Sequence, residues 1–264
     1  MTTRNKASKK QIFLLPGIKG CASIFNSLAS KIKSPVTCLQ HGANNIPMSE
    51  SVLQSAATLI PHIISKIENS AEFIIVGYSY GTLIAIEVMR LLEARNFTGY
   101  LVLIDGTPDC VRTMKEHHFP FTNLQEFQNN ILLNLMDLFY SINNTSILIQ
   151  LSKHDTWEKK LDAFIECLPD DIIQLTSIEN YKTYYTIIYK HLIAVHEYNA
   201  SLLPPLKSHI LLLKPTTPYL LSADENYGLN KITKGNVQVR HVEGNHLTML
   251  ESNELADIIN EISS

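Results

Sequence analysis

The chain has 264 residues, a length that folds of alternating strands and helices often reach as one domain or as a core with an insertion. Hydrophobic residues make up 45% and charged residues 18%, which excludes a disordered chain and indicates a globular protein. The formal charge of −3 argues against a nucleic-acid partner, because such binders present a basic surface to phosphates. No apolar run reaches the roughly 18 residues of a membrane helix, so no membrane span is predicted.

The N-terminus and the cysteines predict a cytoplasmic protein. Residues 1–10 are polar and basic, and the apolar run that follows is too short for a signal peptide. We interpret these residues as a flexible tail or the remnant of a linker. The cysteines are far apart in sequence and form no CxxC pair, so reduced thiols in the cytosol are the simplest interpretation: Cys21, Cys38, Cys110 and Cys167.

Short apolar runs alternate with longer helical patterns over the first 105 residues. Four runs, most of them rich in Ile, Val or Leu, are typical of strands covered on both faces: Gln11–Leu15, Pro35–Leu39, Phe73–Gly77 and Tyr100–Asp105. The helical candidates between them are Ala22–Lys33, Ser49–Asn69 and Thr82–Arg95. This alternation predicts a doubly wound α/β sheet. The pattern resumes with two strands and a closing helix, at His209–Leu213, Val237–Val242 and Glu251–Ile262.

The middle of the chain has a different pattern. None of the ten glycines falls between Gly106 and Gly228, and apolar residues recur there at helical spacing, in Leu124–Ile142, Trp157–Cys167 and Ile178–Leu202. We interpret the block as an all-helical cap over the carboxyl edge of the sheet, where open α/β sheets place their sites. The alternative is ordinary helices packed on the sheet faces. The predicted organisation is a tail (1–10), a core (11–108 and 206–264) and a helical cap (109–205).

The strongest motif is G-x-S-x-G, written here Gly77-Tyr78-Ser79-Tyr80-Gly81. An apolar strand precedes it and a helical pattern follows, which is the context that this nucleophile motif requires. The two glycines lack Cβ atoms, so strand and helix can approach closely around a strained turn. The sequence therefore predicts Ser79 as a nucleophile presented at a helix N-terminus.

A serine hydroxyl needs a base to take its proton and an acid to orient that base. In hydrolases with this motif the chain order is Ser, then Asp or Glu, then His. Asp105 ends the next predicted strand and His246 lies just beyond the last one, so we expect both in a catalytic triad with Ser79. Asp224, in a loop after the fifth strand, is the competing acid on sequence grounds.

A glycine-rich loop, Pro16–Cys21, follows the first strand. Its backbone N–H groups are expected beside the serine as part of an oxyanion hole, together with the N–H of Tyr80. The alternative is an ordinary connection between strand and helix. The histidines show no spacing typical of a metal site, and the chain has no P-loop and no G-x-G-x-x-G, so neither a metal nor a nucleotide cofactor is predicted.

These motifs resemble the thioesterase domain of animal (type I) fatty acid synthases nearly end to end. The resemblance is carried by Pro16-Gly-Ile-Lys-Gly with Ile24-Phe-Asn-Ser-Leu-Ala-Ser-Lys, Gly77-Tyr-Ser-Tyr-Gly, Leu103-Ile-Asp-Gly and Val242-Glu-Gly-Asn-His-Leu-Thr-Met-Leu-Glu. It implies an α/β-hydrolase fold with an inserted all-helical cap (lid) subdomain, a triad of Ser79, Asp105 and His246, and oxyanion donors at Ile18 and Tyr80. Pro16 and Lys19 depart from the family pattern, which tends to have His and Glu there, and the span from Ser79 to Asp105 looks a few residues short.

The resemblance also implies a reaction and a partner. The expected activity is hydrolysis of a long-chain fatty acyl thioester on the phosphopantetheine arm of an acyl carrier protein, in cis or in trans, or on CoA, with release of free fatty acid. No other cofactor is implied. An apolar channel is expected in the cap, and its candidate substrate-binding residues are Leu133, Leu135, Phe139, Tyr184 and Ile188, although packing in the cap core is the default interpretation of each.

Three alternatives stay open from the sequence. Two are enzymes: an editing thioesterase of a polyketide or peptide pathway, and a cytosolic carboxylesterase. The third is a hydrolase fold without activity that serves as a docking module, against which the presence of Ser79, Asp105 and His246 argues.

Overall fold

The structure is a computed structural model that describes residues 10–41, 49, 51–67, 72–140, 145–218 and 224–264, without the side chains of residues 138–140 and 145. Of the predicted tail, 1–10, only Lys10 is within the described residues. The chain divides into two compact units, one of Met1–Val111 with Glu197–Ser264 and one of Arg112–His196. They are called the sheet unit and the helical unit below.

One sheet of six parallel strands forms the centre of the sheet unit. Its order is β2-β1-β3-β4-β5-β6, with strands β1 (Gln11–Leu15), β2 (Val36–Cys38), β3 (Phe73–Tyr78), β4 (Tyr100–Ile104), β5 (Ile210–Pro215) and β6 (Val237–Val242). The central strands are uninterrupted apolar runs because both faces of a parallel sheet are covered. β3 is buried along its whole length. The reversal of strand order beside β1 makes the sheet doubly wound, which confirms the predicted fold class.

Helices cover the sheet within the same unit: α1 (Asn26–Lys31), α2 (Val52–Ile67), α3 (Gly81–Glu93) and α10 (Asn253–Ser263). One apolar core cluster joins strand residues such as Ile74 and Val102 to Leu28 of α1 and Ile259 of α10. Burial of such side chains is the main stabilisation of the unit. It also holds the carboxyl ends of the strands in a fixed array.

The remaining helices follow β4 in the chain and precede β5: α4 (Pro108–His118), α5 (Leu124–Tyr140), α6 (Thr145–Leu151), α7 (Trp157–Glu166), α8 (Asp170–Ile173) and α9 (Ile178–Glu197). The helical unit, Arg112–His196, is therefore an insertion in the chain of the sheet unit. Within it, the buried ammonium of Lys160 donates to Oδ1 of Asn129 at 2.6 Å and to the carbonyl of Leu151 at 3.1 Å. These bonds tie α7 to α5 and α6, because a buried charge needs such partners.

Most predicted helices differ from the structure by a few residues at their ends, and three of them show the larger changes. The predicted helix Ala22–Lys33 is a 3-10 turn over Ala22–Phe25 followed by α1. The predicted helix Ile178–Leu202 ends at Glu197, because the side chain of Asn199 caps a separate 3-10 turn, Ala200–Leu202. The closing helix begins at Asn253 rather than Glu251, because the hydroxyl of Ser252 accepts from the Glu254 N–H at 3.1 Å.

The sequence reasoning missed α4, whose start carries two local signals. Pro108 occupies the first helical position, where its missing N–H costs nothing, and Asp109 lies in the first turn near the positive end of the helix dipole. Among the described residues, no helix is both long and apolar enough to cross a bilayer.

Candidate active site

Ser79 lies in a strained turn between β3 and α3. Its φ of 54° is in the left-handed region, which an L-residue rarely adopts. Its N–H donates to the carbonyl of Ile104 at 3.0 Å, while its own carbonyl accepts from Thr82, through the N–H at 3.0 Å and the hydroxyl at 2.6 Å. These bonds hold the turn against the end of β4, so the strain is stabilised by its surroundings.

The two glycines of the motif are required by close backbone approach. A Cβ on Gly77 would lie 2.6 Å from the Gly81 carbonyl oxygen and from Cα of Thr82. A Cβ on Gly81 would lie 2.3 Å from the carbonyl oxygen of Leu15 at the end of β1. Any side chain at either position would force the backbone apart. The motif therefore places the serine turn tightly against the central strands.

Asp105 and His246 are brought together across the carboxyl edge of the sheet. Nδ1 of His246 lies 2.6 Å from Oδ2 of Asp105. An ionised carboxylate only accepts, so Nδ1 carries the proton and Nε2 is left to act as a base. Asp105 is 7% exposed, and its N–H donates to the carbonyl of Leu213 at 2.8 Å. Its neighbour Gly106 fits closely against the turn, since a Cβ there would lie 2.6 Å from the Ser79 carbonyl oxygen.

The loop that carries His246 is fixed by its neighbour Asn245. Oδ1 of Asn245 accepts from the N–H of Leu247 at 2.9 Å and from that of Thr248 at 3.0 Å. The hydroxyl of Thr248 accepts in return from the Asn245 N–H at 2.9 Å. Gly244, with a φ of 114°, provides the turn out of β6. This local network orients the imidazole toward the sheet edge.

The carboxylate of Asp224, the competing acid, accepts hydrogen bonds within its own turn. Its Oδ1 accepts from the N–H of Asn226 at 3.1 Å, and its Oδ2 accepts from that of Gly228 at 3.0 Å. Such bonds are typical of an Asp that stabilises a loop. Of the two candidate acids, the one that contacts the imidazole in the structure is Asp105.

The glycine-rich first loop lies against the serine turn. Gly17 to Gly20 form a tight turn in which the Gly20 N–H donates to the Gly17 carbonyl at 2.8 Å, and Gly20 has a φ of 67°. A Cβ on Gly17 would lie 3.3 Å from Cβ of Ser79. Ile18 follows directly, and Tyr80 precedes the first residue of α3. Both residues therefore belong to chain segments next to the serine, and their role as oxyanion donors stays a prediction.

Three side chains near this edge, Tyr78, Lys214 and Tyr227, are not among the residues predicted for the site. Tyr78 stacks on the imidazole of His246, with centroids 4.8 Å apart. Lys214, only 8% exposed at the end of β5, donates to the Glu225 carbonyl at 3.0 Å and lies 4.0 Å from the ring centroid of Tyr227. The sequence carried one signal for Lys214, a charged residue directly after the apolar run Ile210–Leu213.

The buried carboxylate changes the titration of its neighbours. Burial, and then the charge of Asp105, raise the pKa of Cys110 to about 12, while the charge of Lys214 acts to lower it. Burial and the charges of Asp105 and Cys110 raise the pKa of Tyr227 to about 12 as well. Both groups are therefore neutral near pH 7. At Cys110, Lys214 lies close enough for its charge to act against that of Asp105.

The predicted acyl-channel residues all belong to the helical unit. Leu135 and Ile188 are 2% and 1% exposed, as core packing would give, whereas Leu133 and Tyr184 are partly exposed. Phe139 is in α5, but its side chain is outside the described residues. A role in acyl binding stays a prediction for all five. Within the part of the chain that is described, no group of three or more His, Cys, Asp or Glu is placed to hold a metal ion.

Comparison with known families gives one match over nearly the whole chain. A family model described as "Thioesterase domain" matches residues 10–263. Solved structures match equally broadly but at low identity, which makes them evidence for the fold. One is a four-domain nonribosomal peptide synthetase, 16% identical with a TM-score of 0.72; the match covers 97% of this chain and 19% of that one.

Two single-domain structures match over most of both chains. RedJ, a thioesterase from the prodiginine biosynthetic pathway in Streptomyces coelicolor, is 14% identical with a TM-score of 0.61, covering 97% of this chain and 91% of RedJ. YbtT, a type II thioesterase from the yersiniabactin NRPS/PKS biosynthetic pathway, is 15% identical with a TM-score of 0.64, covering 100% of this chain and 96% of YbtT. The parallel sheet with its inserted helices is therefore the fold of known thioesterases.

Proposed function

The chain belongs to the thioesterase domain family and is a hydrolase of thioesters, and we propose that it is an editing thioesterase that removes acyl groups from the phosphopantetheine arm of a carrier protein. The observation that supports this most directly is the 2.6 Å contact of His246 with Asp105 beside the strained turn of Ser79. The carrier protein as partner is suggested by the peptide and polyketide pathways from which the matching structures come.

The proposed reaction begins with acyl transfer to the enzyme. His246 takes the proton of the Ser79 hydroxyl through Nε2 as the oxygen attacks the thioester carbonyl. Asp105 holds the proton on Nδ1 and stabilises the imidazolium that forms. The N–H groups of Ile18 and Tyr80 stabilise the oxyanion, a contribution typically worth a factor of about 10² to 10³ in rate for each donor.

The leaving group and water complete the cycle. The C–S bond breaks, and the sulfur leaves as a thiol after it receives the proton held by His246. An ordinary thiol has a pKa of about 8.5, so protonation matters less here than it does for an alcohol leaving group. Water then gives a proton to His246 and attacks the acyl-Ser79 ester, which releases a carboxylic acid and restores the serine.

A second candidate is release of long-chain fatty acid from an animal-type fatty acid synthase carrier. The motif Gly77-Tyr-Ser-Tyr-Gly and the segments around Asp105 and His246 favour it. The solved structures named above do not support this narrower assignment, since they come from peptide and polyketide pathways. Chain length of the acyl group separates the two candidates, because an editing enzyme removes short stalled acyl groups, whereas a terminating enzyme selects the long product.

The test compares hydrolysis of acetyl, butyryl and palmitoyl groups on one phosphopantetheine carrier protein, with the matching acyl-CoA and p-nitrophenyl esters as further substrates. The editing proposal expects the highest kcat/KM for short acyl groups on the carrier. A preference for palmitoyl carrier would support the fatty acid candidate instead. A preference for p-nitrophenyl esters over every thioester would favour a carboxylesterase and contradict both.

The nucleophile is tested separately. Ser79→Ala should lower kcat by several orders of magnitude, with Ser201→Ala, at an exposed serine of the 3-10 turn Ala200–Leu202, as the folded control. A fluorophosphonate should label Ser79, as identified by mass spectrometry of the peptide. Unchanged hydrolysis by Ser79→Ala, or a label on another residue, would contradict the catalytic assignment. Absence of any hydrolysis or labelling in the natural chain would support the docking-module alternative.

A further inference from the structure

Tyr78 contacts His246 in two independent ways. Its hydroxyl donates to the backbone carbonyl of His246 at 3.0 Å. Its ring stacks on the imidazole, with centroids 4.8 Å apart and planes inclined by 26°. The two residues are separated by 168 positions, so the contact joins the end of β3 to the loop after β6. One bond fixes the backbone of the histidine, and the other contact fixes its ring plane.

Two other contacts restrain the imidazole of His246, but they do not prevent every motion of the ring. Asp105 holds the Nδ1 edge, and Asn245 holds the loop backbone. A single hydrogen bond at Nδ1 still permits the ring to tilt about that bond. The face of Tyr78 blocks this tilt, because an aromatic ring at stacking distance leaves no room on that side.

Tyr78 is itself held firmly enough to serve this purpose. It is 2% exposed and packs edge-on against Phe25, with centroids 6.2 Å apart and planes at 76°. A Cβ on Gly17 would lie 3.2 Å from two atoms of the Tyr78 ring, so the first loop covers it closely. Burial, and then the charge of Asp105, raise the pKa of Tyr78 above its ordinary value, so its hydroxyl stays protonated and continues to donate.

We propose that Tyr78 is a positioning residue that holds the imidazole of His246 in the plane required to serve Ser79, while the same ring supports the first loop at Gly17. The proposal rests on the proposed function for its effect on rate. The geometry behind it is independent of the substrate. The G-x-S-x-G motif leaves this position open, so the residue type carries no signal of the role by itself.

Two variants separate the two contacts. Tyr78→Phe removes the hydroxyl and keeps the ring, so kcat should fall about tenfold, as expected for one lost hydrogen bond. Tyr78→Leu removes both contacts, so kcat should fall about a hundredfold, with KM changed less than about twofold. Tyr78→Phe keeps the stacked ring, so its smaller loss of kcat compared with Tyr78→Leu distinguishes ring stacking from general packing.

Tyr100→Leu is the matched control. Tyr100 also stacks on a histidine, His209, with centroids 6.1 Å apart and planes inclined by 27°. Its contact lies at the start of β4, far along the strand from Asp105. This variant should keep kcat and KM unchanged. A loss equal to that of Tyr78→Leu would mean that the effect is one of stability and would overturn the proposal.

A proton NMR measurement without substrate tests the position of the ring directly. The Nδ1 proton shared with Asp105 should give a resolved downfield signal that His246→Ala lacks. We expect that signal in the natural chain and in Tyr78→Phe, and its loss to exchange in Tyr78→Leu. If Tyr78→Leu does not fold, the proposal is tested by Tyr78→Phe alone, for which we expect the tenfold fall in kcat.

Failure of the positioning role and failure of the proposed function give different results. If the folded variants keep both kcat and the Nδ1 signal, the positioning role of Tyr78 is wrong, whatever the substrate. If the signal is lost as expected while no thioester is hydrolysed by the natural chain, the positioning role stands and the proposed function fails.

Discussion

Asp105 accepts from Nδ1 of His246 at 2.6 Å while its own backbone has a φ of 42°. A non-glycine residue in this left-handed conformation is strained, typically by 1–3 kcal/mol, and persists only where surrounding contacts hold it. Here the Asp105 N–H bonds to β5, and Gly106 packs against the Ser79 carbonyl. Asp105 thus leaves the regular strand conformation at the position where its carboxylate meets the imidazole.

Asp105→Asn should abolish most activity without unfolding the protein. An amide can present an N–H to the imidazole and stabilise the wrong tautomer, which costs about four orders of magnitude in kcat in serine hydrolases with this arrangement. Steady-state kinetics on an acyl carrier substrate measures the effect. Asp224→Asn is the control, and its kcat should stay within about threefold because that carboxylate bonds to N–H groups of its own turn. Equal losses in both variants would contradict the assignment of the acid.

Glu87→Gln should destabilise the sheet unit strongly. Glu87 is 2% exposed within α3 and pairs with Arg90 and with the hydroxyl of Tyr198, while Nε of Arg90 donates to the Pro204 carbonyl at 2.6 Å. Removing the negative charge leaves the guanidinium unpaired in a largely buried site, which typically costs 3–5 kcal/mol. Urea unfolding measures the change in the free energy of unfolding.

The control for that prediction is Glu261→Gln. Glu261 pairs with Arg240 at 2.8 Å on the surface, where water screens the interaction. Its unfolding midpoint should match that of the natural chain. If the two glutamate variants had the same midpoint, the Glu87 network would be no more than a surface ion pair.

Gly81→Ala should distort the serine turn. The new Cβ would lie 2.3 Å from the Leu15 carbonyl oxygen, and a backbone atom cannot rotate away as a side chain does. Overpacking of this kind costs roughly 1–3 kcal/mol or more. Gly17→Ala is the milder comparison, since its nearest contacts are at 3.2 Å and belong to the ring of Tyr78. The midpoint temperature of thermal unfolding should be well below that of Gly17→Ala for Gly81→Ala. The reverse order would contradict the close approach of α3 to β1.

Cys110 should resist alkylation in the native protein. Burial and the charge of Asp105 raise its pKa to about 12, so at pH 8 its thiolate fraction is on the order of 10⁻⁴. Cys21 is exposed and provides the internal control. Peptide mass spectrometry after brief treatment with iodoacetamide should show Cys21 modified and Cys110 unmodified, and both modified in urea. Equal modification of the two in the native chain would contradict the raised pKa of Cys110.

Local sequence determined much of this protein. The apolar runs became strands, and the four central ones are buried on both faces, as a parallel sheet requires, whereas the edge strands β2 and β6 are only partly buried. The order of glycines around Ser79 predicted the tight turn, because only glycine fits where backbones meet at 2.3–2.6 Å. The helix ends were less well predicted, since side chains such as those of Asn199 and Ser252 stop or start helices by bonding to single N–H groups.

Tertiary structure alone decided which residues meet. Chain order favoured Asp105 as the acid and left Asp224 as a competitor, and only the resemblance decided between them. The sheet places Asp105 beside His246, 141 positions away, and leaves Asp224 bonded within its own turn. The contacts of Tyr78 with His246 could not be predicted from the sequence either, because a contact between distant segments depends on strand order and register.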